Sequence, residues 1–291
     1  MTESIVAARS LTKHFGDKTV LSEISVSAGP GDVVGVLGKN GAGKTTLLEL
    51  LLGFGPPSGG RAELFGADSM ALTDANKARI GYVPQRDELV DFLTGRQQLE
   101  LISSFRDNWD PALVDRLVDD WEIPLTTRIG KMSVGERQKL SVVQTLAHHP
   151  ELLVLDEPVA ALDPIARRRF LRQLLDIAEM THRSILFSSH IVSDLERAAQ
   201  SVWILKGGRM VWQGDLDRLK ERVVRVHVRG GHKLAERTLP GLLSSRIEGE
   251  RGIFTVADFD PGHEASLRAT FGGELEIESL GLEDIFVELH E

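Results

Sequence analysis

Gly38-Lys39-Asn40-Gly41-Ala42-Gly43-Lys44-Thr45-Thr46 fits G-x-x-x-x-G-K-[ST], the pattern of a phosphate-binding loop, or P-loop. The run before it, Val33-Val34-Gly35-Val36-Leu37, reads as a buried parallel strand. The run after it, Thr46 to Leu52, reads as a helix whose N-terminus faces the loop. Glycines let the backbone curl until its N–H groups point at phosphate oxygens, and the helix N-terminus adds about half a positive charge. Lys44 brings a full charge to the β- and γ-phosphates, and Thr45 offers a hydroxyl to Mg²⁺. The bland alternative is a glycine-rich turn with a surface lysine. The strand–loop–helix context favours a nucleotide.

A second stretch sharpens this. Leu152-Leu153-Val154-Leu155 is an apolar strand that ends in Asp156-Glu157, the Walker B pattern. Asp156 is placed to hold Mg²⁺, directly or through water. Glu157 sits where a general base or water-orienting group is needed. In isolation the two acids would serve equally as a capping turn.

Composition narrows the class. The chain has 291 residues, 42% of them hydrophobic, enough for a sizeable core in one large domain or two. Cysteine is absent, so no disulfide framework and no thiolate metal site is expected. The net charge of −9 argues against a broad nucleic-acid surface, and no nucleic-acid partner is expected. Met1 to Ile5 has no secretory pattern, and no apolar run approaches the roughly 18 residues of a membrane span. A reducing cytosol is the expected setting, with any membrane association made through a partner.

Along the chain, Ile5 to Ala8 and Val20 to Val26 read as strands joined by a turn at Gly16-Asp17. Phe15 between them reads, on pattern alone, as a strand-end core aromatic. Short strands follow at Arg61 to Phe65 and Ile80 to Val83, with weak helix at Asp74 to Arg79. From Arg86 to Lys131 the character is helical. Leu93, Leu99, Leu101, Ile102 and Phe105 mark one helix. Pro111 opens another, with Leu113, Val114, Leu117, Val118 and Trp121 on one face and Asp107, Asp110, Asp115, Asp119, Asp120 and Glu122 on its solvated side. Ser133 precedes a helix to about Ala147. Ile165 to Ile177 is a basic amphipathic helix whose Arg167-Arg168-Arg169 reads as a solvated face. Ser184 to Phe187 is a strand ending in Ser188-Ser189-His190, a helix then runs to about Ala199, and a hairpin closes around Gly207-Gly208.

The expected fold is therefore α/β, a P-loop NTPase core with a mostly parallel sheet, an antiparallel β subdomain and a helical insertion at about 86–148. Residues 1–218 form this domain. Residues 219–291 form a small C-terminal α+β domain, with strands at Val223 to Val228 and Leu275 to Ile277, a hairpin over Arg246 to Val256, and helices at His263 to Thr270 and Leu282 to Leu289. It carries no chemical constellation and reads as a dimer contact or cap.

The ordered set of P-loop, Gln85, Ser133-Val134-Gly135-Glu136, Asp156-Glu157, Leu162-Asp163 and His190 resembles an ATP-binding cassette (ABC) ATPase over about residues 1–215. The resemblance implies two such domains head to tail, trapping ATP with Mg²⁺ between them. It implies Phe15 as the aromatic stacked on adenine. Gly38, Asn40, Gly41, Ala42, Gly43, Lys44, Thr45 and Thr46 become the nucleotide loop. Thr45, Gln85 and Asp156 serve the metal, and Glu157, His190, Gln85 and Lys44 serve hydrolysis. Ser133, Val134, Gly135 and Glu136 form the signature that reaches the opposing subunit's γ-phosphate, and Asp163 belongs to the loop that touches the opposing site. Val134 stands where the family commonly has glycine, Glu136 where it has glutamine, and Val159-Ala160 where Thr-Ser is frequent.

The resemblance further implies a homodimer bound to separate integral membrane permease subunits at the cytoplasmic face of the inner (plasma) membrane. The ending Leu282-Glu283-Asp284-Ile285-Phe286-Val287-Glu288-Leu289 resembles export-type subunits for drugs, peptides or lipids. The alternatives are an importer ATPase and a soluble mechanical ABC ATPase acting on DNA or ribosomes. The mechanical type usually carries a long coiled coil or two cassettes, whereas here there is one P-loop and no sustained heptad run.

Overall fold

Val6–Phe15 (β1) and Lys18–Ala28 (β2) pair antiparallel across the turn at Gly16-Asp17. Both strands run well past their apolar centres, because a ladder with one solvated face continues through alternating polar residues. Our computed structural model describes residues 4–160, 162–230, 234, 241–260, 262, 264–271 and 274–290. Gly59–Leu64 (β4) adds to β1, and Ala67–Asp68 (β5) pairs with β4. The result is a four-stranded antiparallel sheet, ordered β2-β1-β4-β5.

A second sheet is built differently. Val33–Gly38 (β3), Leu152–Leu155 (β7) and Ser184–Ser189 (β8) are buried at every position, as strands covered on both faces must be. With Ile80–Val83 (β6), Ser201–Lys206 (β9) and Arg209–Asp215 (β10) they form six strands ordered β10-β9-β3-β8-β7-β6. The β9-β3-β8-β7-β6 portion is parallel throughout. Lys44–Leu51 (α1) buries Leu47, Leu48, Leu50 and Leu51 in one cluster with Leu11, Leu21 and Ile24 of the hairpin and Val34 and Val36 of β3. Each such leucine stabilises by about 1.5–3 kcal/mol relative to exposure.

After Asp74–Ala78 (α2), the helical insertion holds Gly95–Ser103 (α3), Pro111–Asp120 (α4) and Val134–Leu146 (α5). Thr94 and Ser133 open α3 and α5 with capping boxes, closed by Gln97 and Glu136. The α4 pattern holds, with Leu113, Val114, Leu117, Val118 and Trp121 all buried. On α3 the expected stripe fails: Leu101 is exposed, Phe105 lies beyond the helix and is exposed, and Gln98 is buried instead. Gln98 is satisfied by Gln144 at 3.1 Å and by the Val90 N–H at 3.3 Å, so its burial leaves no lone amide. Pro164–Thr181 (α6) and Val192–Ala198 (α7) complete this part, with Phe170 of α6 against Trp121 at 4.8 Å.

The chain divides into two units, Met1–Gln213 and Gly214–Glu291. A boundary at 218/219 would cut Leu216–Arg222 (α8), a helix capped by Asp215, whose Oδ1 accepts from the Arg218 N–H at 2.9 Å. In the second unit, Val224–Arg229 (β11), Leu242–Glu248 (β12), Arg251–Val256 (β13) and Glu274–Ser279 (β14) form an antiparallel sheet ordered β12-β13-β11-β14. Val224, Val226, Val228 and Phe254 form its core with Phe271 of Glu264–Phe271 (α9). Glu288 of Leu282–His290 (α10) bonds Arg225 and Ser244. His263, expected to start α9, lies outside the described residues.

Candidate functional site

Parallel strands deliver their carboxyl ends to one edge of the sheet, and ligands of open α/β sheets bind outside that edge. β3, β8 and β7 are neighbours there. Gly38 to Lys44 leaves β3, Asp156-Glu157 leaves β7, and Ser189-His190 ends β8.

The loop turns on Gly43, with φ +104. A Cβ there would sit 2.7 Å from Leu21 Cδ2 and 3.1 Å from the Val20 carbonyl, so the position excludes a side chain twice over. Gly43 is also the N-cap of α1, with no side-chain cap, which leaves the first N–H groups of that helix to an outside acceptor. Lys44 is 7% exposed. Its Nζ donates to the Gly38 carbonyl at 2.9 Å and lies 3.3 Å from Glu157 Oε1. The Thr45 hydroxyl donates to Asp156 Oδ2 at 2.6 Å. These are hard oxygen donors of the kind Mg²⁺ takes, so the residues present fit that ion.

Glu157 is 5% exposed and has φ +52, a left-handed conformation unusual for a glutamate. Two side chains hold it there. The Ser188 hydroxyl oxygen accepts from the Glu157 N–H at 2.8 Å while donating to Asp156 Oδ1 at 2.5 Å. Gln138 Nε2 of α5 donates to the Glu157 carbonyl at 2.9 Å. The carboxylate then spans two partners, Lys44 through Oε1 and His190 Nδ1 through Oε2 at 2.8 Å. Lys44, Thr45, Asp156, Glu157 and His190 therefore form one connected cluster.

Other expected residues stand apart from it. Gln85 is exposed in the loop after β6 and has no hydrogen-bond partner among the described residues, though it lines a cavity with Glu157 and Val134. Ser133, Val134, Gly135 and Glu136 open α5, and the Ser133 donors are taken within their own turn. Its N–H and hydroxyl reach Glu136 Oε2 at 2.7 and 2.9 Å. Asp163 caps the start of α6 in the same chain, accepting from Ile165 and Ala166 N–H at 2.9 and 3.0 Å. The Ala166 N–H, followed by that of Ile165, holds its carboxyl below the usual range. Phe15 is not a core aromatic: it is 56% exposed at the end of β1, with Lys13 Nζ 5.0 Å from its ring centre.

Ser188 and Gln138 escaped the sequence reading. A signal existed for Gln138, which shares the buried stripe of α5 with Ser141, Val142 and Thr145. Arg167 also departs from the solvated face expected of it. It donates to the carbonyls of Val159 and Leu162 at 3.3 and 3.1 Å and lies 3.6 Å from Asp194 Oδ2 of α7. Burial pushes the Asp194 carboxyl up, against the pull of Arg167. Asp110 is likewise no free surface acid, since it caps α4 through the Leu113 N–H at 2.9 Å and meets His149.

A P-loop fold with this cluster defines a nucleotide-hydrolysing cassette, and the comparisons with known proteins agree. The ABC transporter family pattern matches residues 21–160. The chain is 32% identical over 221 residues to the bacitracin transport ATP-binding protein BcrA of Bacillus licheniformis, covering 75% of this chain and 72% of the relative. It is 31% identical over 295 residues to the Nod factor export ATP-binding protein I of Burkholderia lata, covering 97% and 95%. Among solved structures, an ATP-binding subunit of an ABC transporter superposes with a TM-score of 0.66 at 25% identity, over 75% of this chain and 92% of that one. A bacterial Atm1-family ABC exporter with ATP bound gives a TM-score of 0.66 at 28% identity, over 75% of this chain and 40% of that chain. The chain belongs to the ABC transporter family, as an ATP-binding ATPase subunit.

Proposed function

We propose that this chain is the ATPase subunit of an export system, working as a homodimer beneath separate membrane subunits. The observation that carries the catalytic part is the connected set Lys44–Glu157–His190 beside Thr45–Asp156. Lys44 and the uncapped N-terminus of α1 bind the phosphates of ATP. Thr45 and Asp156, with Gln85, would hold Mg²⁺, which would neutralise phosphate charge. Glu157 orients the attacking water and accepts its proton, and His190 steadies the Glu157 carboxylate from the other side. Phe15 offers an exposed π-face to adenine. The second subunit brings Ser133 and Gly135 to the phosphates, and the Ser133 hydroxyl leaves Glu136 to do so. Positioning and charge stabilisation supply the catalysis.

Export is supported by the relatives, one named for bacitracin transport and one for Nod factor export. No described helix is long and apolar enough to cross a membrane, and in this reading separate membrane subunits provide the pathway. Phe54 and Met70 are exposed beside Leu52, Leu72 and Tyr82 around a cleft of about 480 Å³, which offers apolar side chains to a partner. In this reading the protein works at the cytoplasmic face of the inner (plasma) membrane. The test is affinity purification of the tagged chain from detergent-solubilised source membranes. A multi-span protein in near-equal amount is expected, whereas co-purifying ribosomes or nucleic acid without one would refute the transport reading.

A further inference from the structure

Arg137 follows the signature segment directly and closes the first turn of α5. Its guanidinium uses all three nitrogens. Nε and Nη2 fork onto the Asp87 carboxylate, at 3.0 Å to Oδ2 and 2.6 Å to Oδ1. Nη1 donates to Asp91 Oδ1 at 2.6 Å and to the Ile129 carbonyl at 3.3 Å. A planar fork on a carboxylate fixes direction as well as distance. Only 20% of the Arg137 side chain and 18% of that of Asp87 meet solvent, so this pair is shielded where an open surface pair would be screened. The Asp87 bonds push the guanidinium's pKa up against the opposing effect of burial.

Asp87 stands in the run Gln85-Arg86-Asp87, in the loop that leaves β6. β6 fixes the near end of that loop beside β7, which carries Asp156-Glu157. Further along, the Gly130 N–H donates to the Asp91 carbonyl at 2.9 Å and the Ile129 N–H to that of Leu93 at 2.8 Å. Over 84–88, the described hydrogen bonds to any other element are those of Asp87 with Arg137. A cavity of about 60 Å³ is lined by Gln85 and Asp87 together with Val134, Gln138 and Glu157. The start of α5 thus carries Ser133 at its cap, holds the Gln85 loop through Arg137, and holds the Glu157 carbonyl through Gln138. We propose that Arg137 is a positioning residue that locks the Gln85 loop to the first turn of α5, so that Gln85 enters its own ATP site in step with the arrival of Ser133 at the partner's. Elements tied in this way move together, and the state of each site then biases the other. The inference rests on the roles given to Gln85 and Ser133 above.

The chain has no cysteine, so Arg86→Cys, at an exposed position of the loop, takes a single spin label in the full-length protein. Arg137→Met and Asp87→Asn break the fork from opposite sides. Each is expected to sharpen the electron paramagnetic resonance lines of that label, whereas Asp91→Asn, which lies where backbone bonds already hold the loop, leaves them unchanged. In unlabelled protein both fork variants should lower ATP turnover about tenfold, the effect of a displaced but intact catalytic group. They should also raise the Mg²⁺ concentration needed for half-maximal nucleotide binding, with ATP affinity in EDTA unchanged. In a Gln85→Ala background, Arg137→Met should cost nothing further, because both changes remove the same contribution. A label no more mobile in Arg137→Met or Asp87→Asn than in Asp91→Asn, or losses that multiply with Gln85→Ala, overturns the inference and leaves the function proposed above standing. Gln85→Ala with turnover intact overturns the role given to Gln85, and this inference with it.

Discussion

Glu157 concentrates the chemistry of this chain at one residue. Its left-handed backbone is imposed by Ser188 on the N–H and Gln138 on the carbonyl, and its two carboxylate oxygens are already divided between Lys44 and His190. Glu157→Gln keeps the shape and the backbone bonds but removes the charge and the base. ATP turnover is expected to fall by roughly 10²–10⁴, the usual size of a general-base effect, with ATP binding retained. An ATP-bound dimer should then accumulate in size-exclusion chromatography with light scattering. Persistence of a monomer at saturating ATP would contradict the head-to-tail arrangement. Glu136 makes a related point about residues. A sequence comparison registers a glutamate in place of glutamine, whereas the structure shows its carboxylate seated on both donors of Ser133.

Between elements, Arg167 ties α6 to the loop before it and to α7 after His190. It bonds the Val159 and Leu162 carbonyls and faces the buried Asp194. Removing it leaves Asp194 without its cation and frees the loop that contains Asp163. Arg167→Met is expected to cost about 1–3 kcal/mol in urea unfolding, the penalty of an unsatisfied buried charge. It should also lower kcat roughly tenfold to a hundredfold with little change in KM, since the catalytic groups stay present but less well placed. Adding Asp194→Asn should restore stability and leave kcat low. Recovery of kcat in the double variant would assign Arg167 a purely structural role. An arginine triplet on an amphipathic helix reads as a solvated face because sequence periodicity carries no record of which loop folds back onto it.

For the whole molecule, the division at Gln213/Gly214 gives each unit its own buried core, one around α1 and one around Phe254 and Phe271. A chain ending at Gln213 is therefore expected to fold and to bind ATP with affinity within about threefold of the full chain. Fluorescent-nucleotide titration measures this directly. Loss of binding would show that the C-terminal unit is needed for the site.

Local patterns settled much in advance. The P-loop, the strand ending in Asp156-Glu157, the capped start of α5 and the alternating strands of the C-terminal sheet are properties of short stretches, where backbone freedom at glycine, side-chain periodicity and capping chemistry act over a few residues. Phe15, Arg167, Gln98 and Arg137 were beyond such reading. Whether a phenylalanine faces solvent, an arginine fastens a distant loop, or a glutamine replaces a leucine in a core depends on neighbours tens of residues away in sequence. The same holds for Glu157, whose partners Lys44, Ser188 and His190 meet because three parallel strands end at one edge of a sheet, while α5 brings in Gln138. Long-range packing sets solvation and contact, and those two quantities turn a residue type into a role.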